Sequence, residues 1–179
     1  MPGSPDKPPI DAILKKVLDA VPFQLSAEGG VEVARRVLRD LPRRPVHPEL
    51  RVENHHIDGP AGPIPVRVYW PGIQAGTCPV TMYFHGGGFA LGDLDTHDGT
   101  ARLHAVQAQT VVVSVDYRLA PENPYPAAVD DAWAATCWVA DNADRFDADG
   151  SKLAVAGDSA GGTLAAVVAQ MARDNCGPA

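Results

Sequence analysis

The sequence predicts an α/β protein: a mostly parallel sheet flanked by helices, with a helical segment at the N-terminus. Three observations carry that prediction. From Pro79 onward, apolar runs of strand length alternate with stretches of helical periodicity. Val111–Asp116 is a nearly continuous β-branched run, as expected of a strand covered on both faces. The run Gly157-Asp158-Ser159-Ala160-Gly161 stands between a short apolar strand and a helix of small residues.

The elements follow in chain order. After a proline-rich start over residues 1–9, Ile10, Ile13, Leu14, Val17, Leu18 and Val21 recur at helical spacing, with Lys15, Lys16 and Asp19 on the other face. Pro22 ends that helix. Ser26 is placed to cap a second one carrying Val31, Ala34, Val37 and Leu38, which Pro42 stops. Pro45, His47 and Pro48 break the chain, so residues 1–47 are read as one segment and residues 48–179 as the main domain. Leu50–Ile57 and Ile64–Trp70 are strands joined by the turn residues Asp58-Gly59-Pro60-Ala61-Gly62-Pro63, the punctuation of a hairpin. Pro79–Phe84 is an apolar strand running into His85-Gly86-Gly87-Gly88. Helices are expected over Thr96–Gln109, Ala127–Ala140 and Ala160–Arg173, with a buried strand at Leu153–Ala156.

Composition narrows the function classes. A chain of 179 residues suits one domain. No apolar stretch reaches the roughly 20 residues a membrane helix needs. The N-terminus lacks the basic and apolar regions of a secretory signal, so a cytoplasmic location is expected. The net charge of −7 disfavours nucleic acid or an anionic membrane as partner. Cys78, Cys137 and Cys176 are widely spaced with no C-x-x-C pair, which predicts reduced thiols, no disulfide framework and no metal site.

Two motifs carry chemistry. Gly157-Asp158-Ser159-Ala160-Gly161 fits G-x-S-x-G in a strand–turn–helix setting, a tight turn that lifts a serine hydroxyl above the edge of a sheet. The crowding there demands small neighbours, and the helix beginning at Ala160 aims its free N–H groups and positive dipole end at the same place. Directly after a strand, His85-Gly86-Gly87-Gly88 leaves backbone N–H groups open to a ligand oxygen. A phosphate-cradling loop is the competing reading, but the chain has no G-x-x-x-x-G-K-[ST].

In order and spacing, His85-Gly86-Gly87-Gly88-Phe89, Asp116-Tyr117-Arg118-Leu119-Ala120-Pro121-Glu122, Pro124-Tyr125-Pro126-Ala127 and Gly157-Asp158-Ser159-Ala160-Gly161-Gly162 resemble the bacterial hormone-sensitive-lipase family of esterases and lipases. The resemblance runs from about Pro65 to the last residue. It implies an α/β-hydrolase fold, a cap segment in residues 1–47, and the nucleophile and oxyanion half of the catalytic domain in residues 48–179. It further implies Ser159 as nucleophile and the N–H groups of Gly87, Gly88 and Ala160 as oxyanion hole. Supporting parts fall to His85, Gly86, Gly157, Asp158 and Gly161, with His85 shaping the glycine loop rather than moving protons. The expected partner is a small ester of short to medium acyl chain, and no cofactor is expected.

Other polar residues near the motifs read as structural. Tyr117, Arg118 and Glu122 are expected to hold the loop after their strand. Asp95, His97 and Asp98 are placed either to line the pocket mouth or to cap the helix that follows, and capping is the favoured reading. His55, His56 and His104 read as ordinary strand and helix residues.

One part of the family pattern is missing. The acid and the histidine that activate such a serine follow it in chain order. Residues 160–179 contain Asp174 and no histidine, and all six histidines precede Ser159. The sequence therefore reads as an N-terminal portion, inactive alone, with Leu153–Ala156 as an apolar edge strand open to self-association. A non-catalytic small-molecule-binding protein of the same fold is the alternative.

Overall fold

The computed structural model describes residues 10–20, 29–72, 76–175 and 177–178. Five strands form one sheet: β1 (Val52–Ile57), β2 (Ile64–Tyr69), β3 (Cys78–Phe84), β4 (Val111–Val115) and β5 (Ala148–Gly157), in the spatial order β1-β2-β4-β3-β5. The hairpin β1–β2 is antiparallel, with Ile57 opposite Ile64 across the expected turn. β2 also runs antiparallel to β4, whereas β3 lies parallel to both β4 and β5. The sheet is thus mixed. Its parallel half is the part in which strands alternate with helices, because parallel neighbours need a crossover.

Helices α3 (Asp98–Ala108), α4 (Ala127–Asn142) and α5 (Ala160–Asp174) cover the two faces. Alternation along β4 shows the division. Val111, Val113 and Val115 pack with Ala132, Ala135 and Val139 of α4 and Leu164 and Val168 of α5. Val112 points the other way, onto Ala101 and Ala105 of α3 and the rings of Tyr69 and Tyr83. Each fully buried side chain of this size contributes about 1.5–3 kcal/mol. The alanines of α3 and α4 let the helix backbones come close to the sheet. Trp70 Nε1 closes the base of the core by donating to Phe146 O at 2.8 Å.

Two N-terminal helices precede the sheet, α1 (Ala12–Ala20) and α2 (Gly30–Asp40). Asp11 caps α1, its carboxylate accepting the N–H groups of Ile13 and Leu14 at 2.9 and 3.1 Å. The apolar face foreseen there is present but exposed: Ile10, Ile13, Leu14, Val17 and Leu18 all face solvent. Val21, Pro22 and the expected cap Ser26 lie outside the described residues, as does Cys176. The N-cap position of α2 is Gly29, in the left-handed region at φ 83°. No helix of the described residues is long and apolar enough to cross a membrane.

β5 departs from its expected bounds. The apolar run Leu153–Ala156, expected to be buried, is only partly covered, with Ala154 exposed, because it lies on an edge strand; the buried residue of β5 is Ala148. Ala148 and Asp149 also pair, with Cys78 and Pro79, the register shifting between Pro79 and Val80. β5 is an edge of the described sheet, as expected, but it is not bare. Exposed Ser151 and Lys152 and the irregularity lie on it, which are devices that discourage strand pairing.

Candidate active site

The sheet brings the two motifs together. Phe84, the last residue of β3, is the register partner of Gly157, the last residue of β5. Both chains leave the sheet side by side, one into His85-Gly86-Gly87-Gly88 and the other into Asp158-Ser159. Ser159 has φ 51° and ψ −116° and is solvent-exposed. A serine pays for such a backbone only where its surroundings force it, and outliers of this kind concentrate at functional sites. The close approach of α5 to β3 goes with it: a β-carbon on Gly161 would overlap Phe84 O, so only glycine lets α5 start here.

The glycine loop folds back on itself. Ala90 and Leu91 donate to Gly87 O at 3.1 and 2.9 Å. Gly87 has φ 128°, and a β-carbon there would overlap Leu91 O; Gly88 has φ 62° with open space on its β-carbon side. Among the described residues, the N–H groups of Gly87, Gly88 and Ala160 donate to no protein acceptor. Three unspent donors in one neighbourhood, one of them at the start of α5, suit an oxygen that becomes negative.

Asp158 joins the two motifs. Its Oδ1 accepts Tyr83 OH at 2.7 Å and Gly86 N–H at 3.0 Å. Burial, then the bond to Asp158, pushes the Tyr83 phenol above its ordinary range, so it stays a donor. His85 is fully buried between Tyr117 at 4.4 Å and His97 at 5.2 Å, centroid to centroid. Its Nδ1 donates to Gly86 O at 2.8 Å, and Tyr117 OH donates to His85 O at 2.6 Å. Burial lowers the pKa of His85, which keeps the ring neutral. Among the described residues, no histidine makes a hydrogen bond to the Ser159 side chain.

With this geometry in place, similarity to known proteins is decisive. A family profile described as alpha/beta hydrolase fold matches residues 81–179. This chain belongs to the α/β-hydrolase fold family. Esterase LipI of Mycobacterium tuberculosis is 66% identical over 175 residues, an overlap of 97% of this chain and 55% of that protein. Carboxylesterase NlhH of the same organism is 57% identical over 175 residues, covering 96% and 54%. Among solved structures, a hyperthermophilic esterase from Pyrobaculum calidifontis superposes with a TM-score of 0.80 at 45% identity, over 95% of this chain and 56% of that one. The chain spans about half the length of the relatives it matches. Those relatives agree with the esterase family that the motifs resemble.

Within this α/β-hydrolase fold, Ser159, Ala160, Asp158, Gly157, Gly161 and His85 through Gly88 all gather at one end of the sheet. Tyr117, Arg118 and Glu122 hold loops, as expected, but each has a different partner. Arg118 forks onto buried Asp131 at 2.8 and 2.7 Å, and Glu122 pairs with Arg35. The expected caps of α3 are corrected. The N-cap position is His97, with no side-chain cap bond. Asp98 instead accepts Tyr69 OH at 3.0 Å, Arg67 at 3.2 Å and Arg102 at 2.6 Å. Asp95 pairs with Arg67 at 2.9 Å. His97 turns toward the site, with Nε2 3.8 Å from Asp158. Capping preference is local, and these side chains instead meet Arg67 and Tyr69 of β2, Arg102 of α3 and Asp158 of the serine turn.

Proposed function

We propose that the site is that of a serine carboxylic-ester hydrolase acting on esters of short to medium acyl chain. Residues 48–179 carry its nucleophile and oxyanion hole, and residues 1–47 contribute a cap segment. The observation that supports this best is Ser159, held at φ 51° above the sheet beside three unspent N–H donors. In the proposed reaction, Ser159 Oγ attacks the acyl carbon and gives up its proton to a base. The carbonyl oxygen gains the negative charge and is held by the N–H groups of Gly87, Gly88 and Ala160. Collapse expels the alcohol, which takes up a proton, and leaves an acyl-serine; water then releases the acid and restores Ser159.

The base is none of the six histidines in this geometry, so residues 1–179 alone are proposed to be inactive. A small-molecule receptor of the same fold is the second reading, favoured by that same lack of a histidine on Ser159. Aryl-ester hydrolysis by the full-length protein, its Ser159→Ala variant and residues 1–179 alone separates the readings. The enzyme reading expects the full-length protein alone to turn over, with Ser159→Ala losing about 10⁴-fold or more. Hydrolysis within tenfold of wild type in Ser159→Ala, on the order of a 1.4 kcal/mol barrier change, contradicts it, and binding without turnover by the full-length protein supports the receptor.

A further inference from the structure

We propose that Arg35 of α2 is a positioning residue for the oxyanion hole: one guanidinium fixes the far side of the glycine loop to the turn after β4. The inference rests on the reading that Gly87 and Gly88 supply oxyanion donors. The Arg35 side chain is 13% exposed. Nε donates to Ala90 O at 2.8 Å. Nη1 donates to Glu32 at 2.9 Å and to Glu122 Oε1 at 2.8 Å. Nη2 donates to Ala120 O at 2.9 Å and to Glu122 Oε2 at 2.8 Å. All five N–H donors of the side chain are engaged, a saturation that a surface tether does not need.

The partners show what is being held. Ala90 donates to Gly87 O, and Phe89 O accepts Ala120 N–H at 2.8 Å. The turn that sets the direction of the Gly87 and Gly88 N–H groups is therefore pinned on both sides, by Ala120 at Phe89 and by Arg35 at Ala90. Arg35 also holds Ala120 itself, so both pins depend on it. Glu122 completes the fork, and the Arg35 bonds pull its carboxyl down to about 2. Arg39, one turn along α2, makes a different kind of contact. Its side chain is 62% exposed and, among the described residues, makes a single ion pair, with Asp93 at 2.9 Å, leaving most of its donors to solvent. Lysine cannot replace Arg35, because an ammonium lacks the planar fork that spans a carboxylate and two carbonyls.

The test compares Arg35→Met, Arg35→Lys and Glu122→Gln in the full-length protein, with Ser159→Ala as reference. Aryl-ester kinetics are read alongside inhibition by a trifluoromethyl ketone, which forms an oxyanion on a nucleophilic serine. Both Arg35 variants are expected to lose about ten- to a hundredfold in kcat with KM within about threefold, and ketone affinity to weaken in parallel. Glu122→Gln loses less, and combining it with Arg35→Met costs no more than Arg35→Met alone. Folded variants with lowered melting temperature but kcat and ketone affinity within twofold of wild type would reduce Arg35 to a tether and overturn the proposal. So would a rise in KM alone. If Arg35→Met does not fold, Arg35→Lys and Glu122→Gln decide by the same criteria. Retained turnover in Ser159→Ala overturns the esterase reading and this proposal together; loss there with normal Arg35 variants overturns this proposal only.

Discussion

Gly87 and Gly88 are adjacent and chemically identical, yet the backbone gives them different sensitivities. At Gly87 a side chain would collide with Leu91 O, while at Gly88 it would enter open space. Gly88→Val is therefore expected to lower turnover by about a hundredfold, by walling off the donors, at the cost of a β-branched residue strained in the left-handed region but without a steric clash. Gly87→Val should lose turnover and stability together. Parallel kinetics and urea titrations check this, and equal stability losses at both positions would contradict it. Asp116 makes a second residue-scale prediction. Burial, with Asp93 and Asp95 nearby, raises its carboxyl to about 6. The folded state then holds a proton that the unfolded chain releases near pH 4, so this group's contribution falls as pH rises from about 4 to 6 and stays low above. Asp116→Asn should raise the melting temperature at pH 8, with the gain vanishing near pH 4; a gain independent of pH would contradict the assignment. Ser159 and the glycines were legible in the sequence because a tight turn imposes its residue types locally. The parts played by Asp116, His97 and Arg35 were not legible, because their partners stand tens of residues away.

Strands and helices were legible where one physical pattern dominated. The valines of β4 and the periodic alanines of α4 placed both elements, because burial on two faces and on one stripe leaves distinct spacings. Ends were less legible. β5 begins at Ala148 rather than Leu153: buried Ala148 is separated from the apolar run by Asp149-Gly150-Ser151-Lys152, a polar stretch in which hydropathy carries no signal. The junction of β3, β5 and α5 is the least forgiving contact between elements. Gly161 lies against Phe84 O so closely that Gly161→Ala must push α5 off the sheet. The expected cost is about 2–3 kcal/mol of stability, read by urea titration of the full-length protein. A cost below about 0.5 kcal/mol, the range of neutral surface changes, would mean that α5 shifts freely and that the elbow is not set by this contact.

At the scale of the whole molecule, the architecture collects at one end of a mixed sheet everything that the sequence had marked as reactive. β3 and β5 finish in register, α5 starts between them, and α2 reaches over to the glycine loop through Arg35. The alternation of strands and helices foretold the parallel half. The antiparallel pairing of β2 with β4 was not legible, since it joins segments separated by β3 and α3. The central claim is that this end of the sheet makes Ser159 a nucleophile. Covalent labelling tests it most directly: the full-length protein is treated with an aryl organophosphonate, digested, and the adduct mapped by mass spectrometry. The account predicts one adduct per chain, on the peptide bearing Ser159, formed in step with loss of ester hydrolysis. An adduct on another residue, or hydrolysis that disappears while Ser159 stays unlabelled, would contradict it.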